Sequence, residues 1–360
     1  MEPILDALLS AAALGLIPGG SRLLLGVSGG ADSTALLFGA HEAAAETGWE
    51  LLVAHVHHGW RGLGADRDLA FVSEHARRLG LPFVAKRRDA RGVARRLGLS
   101  PEAAARTVRY EALLEAARET RADRIATAHQ QDDVLESHLI ARERRGSLAS
   151  LAGPRESRSD GVVRPLLHVS RARILEFLAA RGIGYRRDAT NGDLRLTRNR
   201  VRRELSRWDA AWRERLAEEI QRLRALRQRL DEELETRVVP TFRDLPGERT
   251  ADAGLLSASH PELRRTALDR LASPFARPGR SPLTGPEREQ LVRLLGNGRN
   301  FRFEAGRRMR FERRGEVLRV RLREPEPARP VYHSSSVPPV PPLIVTDGTV
   351  RAAGVPSKTS

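Results

Sequence analysis

Over residues 1–208 the chain alternates two periodicities. Short apolar runs, RLLLGV (22–27), ELLVAHV (50–56), PFVAKR (82–87) and RIATAH (124–129), read as strands. Helical patterns stand between and after them. ADSTALLFGAHEAAAE (31–46) is one, and DRDLAFVSEHARRLG (66–80), with Gly80 just past its end, is another. SPEAAARTVRYEALLEAARET (100–120) has Ser100 as N-cap and Pro101 at its first position. QDDVLESHLIARERR supplies a further helix after the fourth strand. This repetition predicts an α/β domain over 1–208, a doubly wound, mainly parallel sheet with helices on both faces, as in Rossmann-like folds.

From Trp208 the pattern lengthens. Leu216, Ile220, Leu223, Leu226, Leu230 and Leu234 recur every three or four residues, which predicts one long linker helix over 209–240. Helices are expected at 260–272 and 285–296. FRFEAGRRMRFERRGEVLRVRL (301–322) alternates apolar residues with Arg, as antiparallel strands with one basic face do. Residues 241–323 therefore read as a small α+β C-terminal domain. The Pro- and Ser-rich stretch 324–360 reads as a flexible tail in which only LIVT (343–346) suggests local order.

Composition narrows the function. Of the 360 residues 40% are hydrophobic, enough for a globular core, and no apolar run approaches the roughly 18 residues of a membrane span. The first residues carry Glu2 and Asp6 and no basic cluster, so no signal peptide and a cytoplasmic location are expected. Cysteine is absent, which excludes disulfides, Cys-ligated metals, iron–sulfur clusters and Cys nucleophiles. The net charge of +16, carried almost wholly by Arg, points to a polyanionic partner, most naturally nucleic acid.

The unusual residues cluster just after the strands, where open α/β sheets bind ligands. Ser28-Gly29-Gly30-Ala31-Asp32-Ser33-Thr34 follows the first strand and opens a helix, a phosphate cradle. It lacks the Lys of a Walker A loop and is not G-x-G-x-x-G. Asp32 would repel a phosphate unless a cation lay between, so it suggests Mg²⁺. His55, His57 and His58 follow the second strand without a cysteine, and lining a nucleotide pocket is favoured over metal binding, with Arg61 near phosphate or RNA. After the fourth strand come His129, Asp132, Asp133 and Glu136. Helical spacing brings both Asp132 and Asp133 beside Glu136, and carboxylates there suit Mg²⁺ or a cationic amine.

SGGADS resembles the S-G-G-x-D-S loop of the N-type ATP pyrophosphatases, the PP-loop superfamily. AHVHHGWRG is similar to A-H-x-x-H-G-x-R, SPEAAARTVRYEAL to E-x-x-A-R-x-x-R-Y, and AHQQDDVLES to H-x-x-D-D-Q-x-E-T. RPLLHVSRARILEF and RRDATNGDLRLTRNRVRREL are similar to an R-P-L-L … D-x-S-N … R-N-x-x-R segment. Together they resemble the tRNA(Ile)-lysidine synthase family over roughly residues 20–207. Departures are Val134 for Gln, Ser137 for Thr, Thr190 for Ser, Arg171 or Arg173 for Lys, and missing glycines between Gly146 and Gly153.

The resemblance implies ATP and Mg²⁺ as cofactors, and free L-lysine and tRNA(Ile) with a CAU anticodon as substrates. The wobble cytidine would be adenylated and attacked by lysine, changing the codon read from AUG to AUA. It implies ATP binding by Ser28, Gly29, Gly30, Ala31, Asp32, Ser33, Thr34, His55 and His129. Lysine would be held by Asp132, Asp133 and Glu136, and tRNA or phosphate by Arg61, Arg106, Arg198 and Arg202. Catalysis would fall to Asp32, Asp133, Glu136 and Arg109, with Asp32 as Mg²⁺ ligand. Alternatives are a thiolation-like or NAD-synthetase-like PP-loop enzyme and a non-catalytic RNA-binding homologue. The oligomeric state, monomer or homodimer, is left open.

Overall fold

The computed structural model describes residues 2–59, 63–144, 146–186, 197–276, 281–306, 309–322, 344–346 and 349–351. It divides into two compact units, residues 1–236 and 237–360.

The first unit holds α1 (Pro3–Ala13), β1 (Arg22–Gly26), α2 (Ala31–Thr47), β2 (Glu50–His57), α3 (Leu63–Arg78), β3 (Phe83–Arg87), α4 (Ala90–Leu97) and α5 (Pro101–Thr120). There follow β4 (Arg124–Thr127), α6 (Gln131–Glu143), α7 (Leu148–Leu151), β5 (Val162–Val163), α8 (Arg171–Ala180), α9 (Thr197–Leu205) and α10 (Ala210–Glu233). The strands form one parallel sheet in the order β3-β2-β1-β4-β5. The winding reverses between β1 and β4, the switch point at which such sheets bind ligands.

Burial on both faces explains why the first strand is a continuous apolar run rather than an alternating one. Leu23 and Leu25 pack with Leu36 of α2, Val72 of α3 and Ile174 of α8 on one face. Leu24 packs with Tyr110 and Leu113 of α5 on the other. Gly26 ends β1 where α5 approaches most closely: a Cβ there would stand 3.2 Å from a methyl of Leu113.

The N-terminal stretch, legible from sequence only as lacking a basic region, forms α1. Its Ile4 and Leu8 close on Gly39 of α2, where a Cβ would lie 2.5 Å from Ile4. A third cluster joins Val134 and Leu135 of α6, Val201 and Leu205 of α9, and Leu216 and Ile220 of α10. The long amphipathic helix thus spends its apolar stripe on the first unit.

The second unit has β6 (Arg243–Leu245), β7 (Glu248–Asp252), α11 (Ala253–Ala258), α12 (Pro261–Ala272), α13 (Gly285–Gly296), β8 (Phe301–Ala305), β9 (Met309–Arg314) and β10 (Val317–Leu322). Its sheet is antiparallel, in the order β6-β7-β10-β9-β8. The β6–β7 turn carries Pro246 and then Gly247 at φ +75°, a pairing that favours a tight turn. Phe311, Leu318 and Val320 are buried on one face. The other face is not simply basic. Registered rows read Arg302-Glu312-Arg319 and Glu304-Arg310-Arg321-Glu248, so each of these arginines has a glutamate on one neighbouring strand, while Arg310 and Arg321 stand against each other. Arg310 pairs with Glu304 at 2.6 Å and Arg319 with Glu248 at 3.5 Å. Residues 344–346 and 349–351 pair as a two-stranded ladder, and the rest of 323–360 lies outside the described residues.

Candidate nucleotide and amine site

The loop after β1 is organised by its own hydroxyls. The Ser28 N–H donates to Ser33 Oγ at 3.1 Å, and Ser33 Oγ donates to the Gly30 carbonyl at 3.1 Å. Thr34 Oγ1 donates to the Gly29 carbonyl at 3.3 Å. Gly29 sits at φ +89°, backbone that a side chain would strain. Gly30 is the N-cap of α2 and offers no side-chain acceptor. By contrast α5, α6, α8 and α10 start with capping side chains from Ser100, Gln130, Ser170 and Asp209. The first N–H groups of α2, with the positive end of the helix dipole, are left for an external anion.

A cavity of about 340 Å³ opens here, at the carboxyl ends of β1 and β4. Ser28, Asp32 and Ser33, Thr127 and His129, Glu102 and Arg109 of α5, and Asp133 and Arg202 are among the residues that line it. Ser28, Asp32, Ser33, His129, Asp133, Arg109 and Arg202 are thus brought together from segments nearly the length of the unit apart.

The acidic side is a set of carboxylates each met by a guanidinium. Arg171, at the start of α8, reaches Asp32 at 3.0 and 3.1 Å. Arg213 of α10 reaches Asp132 at 3.3 Å. Arg202 of α9 grips the fully buried Glu136 at 2.7 and 3.3 Å and stands 3.8 Å from Asp133. Asp133 also accepts the Gln130 N–H at 3.1 Å, half of a capping box, so it serves the helix as well as the cavity. Burial pushes the Asp32 carboxyl up to about 6; Arg171 and Arg202 pull it down, and the charges of Asp133 and Asp132 push it further up. Three carboxylates from two helices therefore share one field.

Other expected residues take supporting places. His55 is buried behind the loop, its Nδ1 2.9 Å from the Val27 carbonyl. His58, not His55, lines the cavity. Arg106 is not in the lining. It lies 5.0 Å over the Tyr110 ring, which Arg109 and Arg158 also approach. The Tyr110 hydroxyl accepts from the buried Arg164 at 3.0 Å. Arg61 and the side chain of Arg198 lie outside the described residues. No group of three or more His, Asp or Glu able to hold a metal occurs among the described residues, so the three histidines form no metal centre there. Asp32 fits Mg²⁺ in another way. That ion commonly takes one or two protein carboxylates and fills its shell with phosphate and water oxygens, and a cation at Asp32 would relieve the repulsion from Asp132 and Asp133. Arg171, Arg213 and Glu102 were not identified from sequence as site residues.

The PP-loop domain profile matches residues 6–208. A tRNA(Ile)-lysidine synthase of Solibacter usitatus is 38% identical over 214 residues, 57% of this chain and 46% of that protein. One from Thermus thermophilus is 43% identical over 180 residues, 50% of this chain and 34% of that protein. The aligned part spans about half the length, or less, of these curated relatives. Among solved structures, the U34-tRNA thiolase NcsA from Methanococcus maripaludis, with its [4Fe-4S] cluster, aligns at TM-score 0.49 and 16% identity. It covers 61% of this chain and 78% of that one.

Proposed function

This chain belongs to the PP-loop family, and we propose that within it the protein is an ATP-dependent carbon–nitrogen ligase, a tRNA(Ile)-lysidine synthase. One observation carries the reading. The uncapped start of α2, the carboxylates Asp32 and Asp133, and the cations Arg109 and Arg202 line one cavity at the β1/β4 switch point. Such a site can accept a nucleotide phosphate and an amine side by side.

In this reading the C2 oxygen of the wobble cytidine attacks the α-phosphorus of ATP and expels pyrophosphate. The side-chain amine of free L-lysine then attacks C2, the C2–oxygen bond breaks, AMP leaves, and the amine loses a proton. Backbone N–H groups of Ser28–Thr34 and the α2 terminus hold the departing pyrophosphate. Asp32 would hold Mg²⁺, which offsets phosphate charge when bound. Arg171, displaced from Asp32, is then within reach of the same phosphates. Arg109 and Arg202 steady the adenylate.

Lysine must react as the neutral amine. With a reference pKa of roughly 10.4, deprotonation at pH 7 costs about 4.6 kcal/mol, part of which a carboxylate base supplies. Asp133, which lines the cavity, is the residue for that task. Glu136 is occupied with Arg202 and serves it by fixing that guanidinium at the cavity wall.

Residues 1–208 would form the catalytic domain and 209–240 the linker helix. Residues 241–323 would bind tRNA, followed by the tail 324–360. A cytoplasmic enzyme is proposed; among the described residues no helix is long and apolar enough to cross a membrane. The decisive experiment is ATP-dependent incorporation of labelled lysine into tRNA(Ile) with a CAU anticodon. Wild type should incorporate it, and Asp32→Ala should abolish ATP–pyrophosphate exchange while sparing tRNA binding. Absence of incorporation by wild type would defeat the proposal. An Asp32→Ala variant with unchanged exchange would remove Asp32 from it.

A further inference from the structure

The first turn of α10 carries an exposed aromatic that the chemistry above does not use. Trp212 is 56% exposed, and it is the one aromatic among the large apolar side chains exposed in the described residues. The chain is poor in aromatics, with four Trp in 360 residues, so an indole left in water is conspicuous. Its backbone N–H donates to the Asp209 carboxylate at 2.7 Å, the N-cap bond of α10. Trp208, one turn earlier, is half-buried against the cluster of α6, α9 and α10, and its ring centroid lies 6.3 Å from that of Trp212. The Arg215 guanidinium stands 4.4 Å from the Trp212 centroid.

The surroundings define what could cover this ring. Arg203, Arg207 and Arg215 are exposed around the turn. The next residue, Arg213, runs the other way and meets Asp132 at 3.3 Å, so Trp212 is one residue from a side chain that reaches the acidic wall of the site. A protein partner would ask for a contiguous apolar patch, and this is one indole with the Arg215 guanidinium at its face, in an exposed stretch that carries Arg203 and Arg207 as well as Glu204, Asp209 and Glu214. A single-stranded nucleic acid asks for what is here: a flat ring for a base and guanidinium groups for the phosphates beside it.

We propose that Trp212 is a stacking platform for an unpaired base next to the nucleotide that enters the cavity, with Arg203, Arg207 and Arg215 holding the adjacent phosphates. The inference rests on the reading of the substrate as RNA and deepens it, since it names the part of the RNA that the rim of the site grips. Stacking on an aromatic is tolerant of base identity, so Trp212 supplies affinity and register rather than sequence choice.

The test uses the full chain and a 17-nucleotide RNA hairpin carrying the CAU anticodon loop, followed by fluorescence anisotropy, with ATP binding and melting temperature measured alongside. Trp212→Ala should weaken hairpin binding about five- to hundred-fold. Trp212→Phe should stay within about threefold of wild type, and ATP binding and melting temperature should not move. Quenching of tryptophan fluorescence by the hairpin should shrink in Trp212→Phe. Hairpin affinity within twofold of wild type in Trp212→Ala would overturn the inference. So would an equal loss in the Ala and Phe variants, or a dimer that dissociates on substitution while hairpin affinity holds. A wild-type protein that binds no hairpin would instead defeat the RNA reading itself.

Discussion

Asp32 costs the folded protein stability for as long as its site is empty. Its pKa of about 6 exceeds the ordinary 3.8, chiefly through burial, so the folded state holds the proton more tightly than the unfolded chain does. Stability from this group therefore falls as pH rises from about 4 to 6, and above that the full cost, about 3 kcal/mol, is present. Asp32→Asn should raise the stability of the nucleotide-free protein by about 1–3 kcal/mol at pH 8 and by nothing near pH 4. Thermal melts at the two pH values check this, and an equal shift at both would contradict the burial account. Glu136 presents the opposite case. Fully buried and gripped by Arg202, it would lose that guanidinium in Arg202→Ala, a loss of about 3 kcal/mol in urea denaturation. The paired replacement Glu136→Leu with Arg202→Met should restore most of it. At this scale the sequence displayed Ser28, Asp32, Asp133 and Arg202 through local motifs. It could not display Arg171 or Arg213, which lie 139 and 81 residues along the chain from the carboxylates they meet. One Arg among sixty carries no local mark.

Among the elements, α10 does more than present an apolar stripe. Arg224 donates to the carbonyls of Ala152 and Pro154, and Arg227 to those of Ala149 and Gly153. Burial depresses the pKa of both guanidinium groups, so the contacts are made away from bulk water. They collect the unsatisfied carbonyls at the end of α7, in the segment where the family pattern leads one to expect more glycines. An arginine clamp thus fixes a loop that extra glycines would have left adaptable. Arg224→Ala should speed amide exchange across 149–154 by at least tenfold, while exchange in β1 stays as it was. Unchanged exchange in the loop would show that the clamp holds nothing. Strands β1 to β4, the strands of 301–322 and the helices α2, α3, α5 and α6 were legible from their periods and their flanking residues. Helices α1, α4, α7, α8, α9 and α11 were not assigned. All have 11 or fewer residues, too short for a period to declare itself beside motif or charge features. Strands β6 and β7 are brief and charged, and only Pro246-Gly247 marks the turn between them.

For the molecule as a whole, the +16 charge is not spread as a uniform coat. In the second unit, arginines on the outer sheet face are matched across strands by Glu304, Glu312 and Glu248, which leaves a modest excess rather than a basic plate. The alternation along 301–322 was visible in sequence, but the cross-strand partners depend on register, which a single strand cannot reveal. RNA binding should still fall steeply with salt, because released counterions scale with the phosphates contacted. Log affinity plotted against log salt between 50 and 200 mM should be linear with a negative slope of several units. A flat plot would remove the electrostatic basis for an RNA partner.

Gly26 carries no reactive group, yet it lines the cavity and sets a spacing there. The missing methyl lets Leu113, and with it the helix that carries Arg109, sit 3.2 Å from where that methyl would be. An alanine there would leave every reactive group in place and every charge unchanged, and would alter only a spacing. A change at position 26 would be counted as conservative in any comparison of residue types, although it shifts the wall against which the nucleotide is measured.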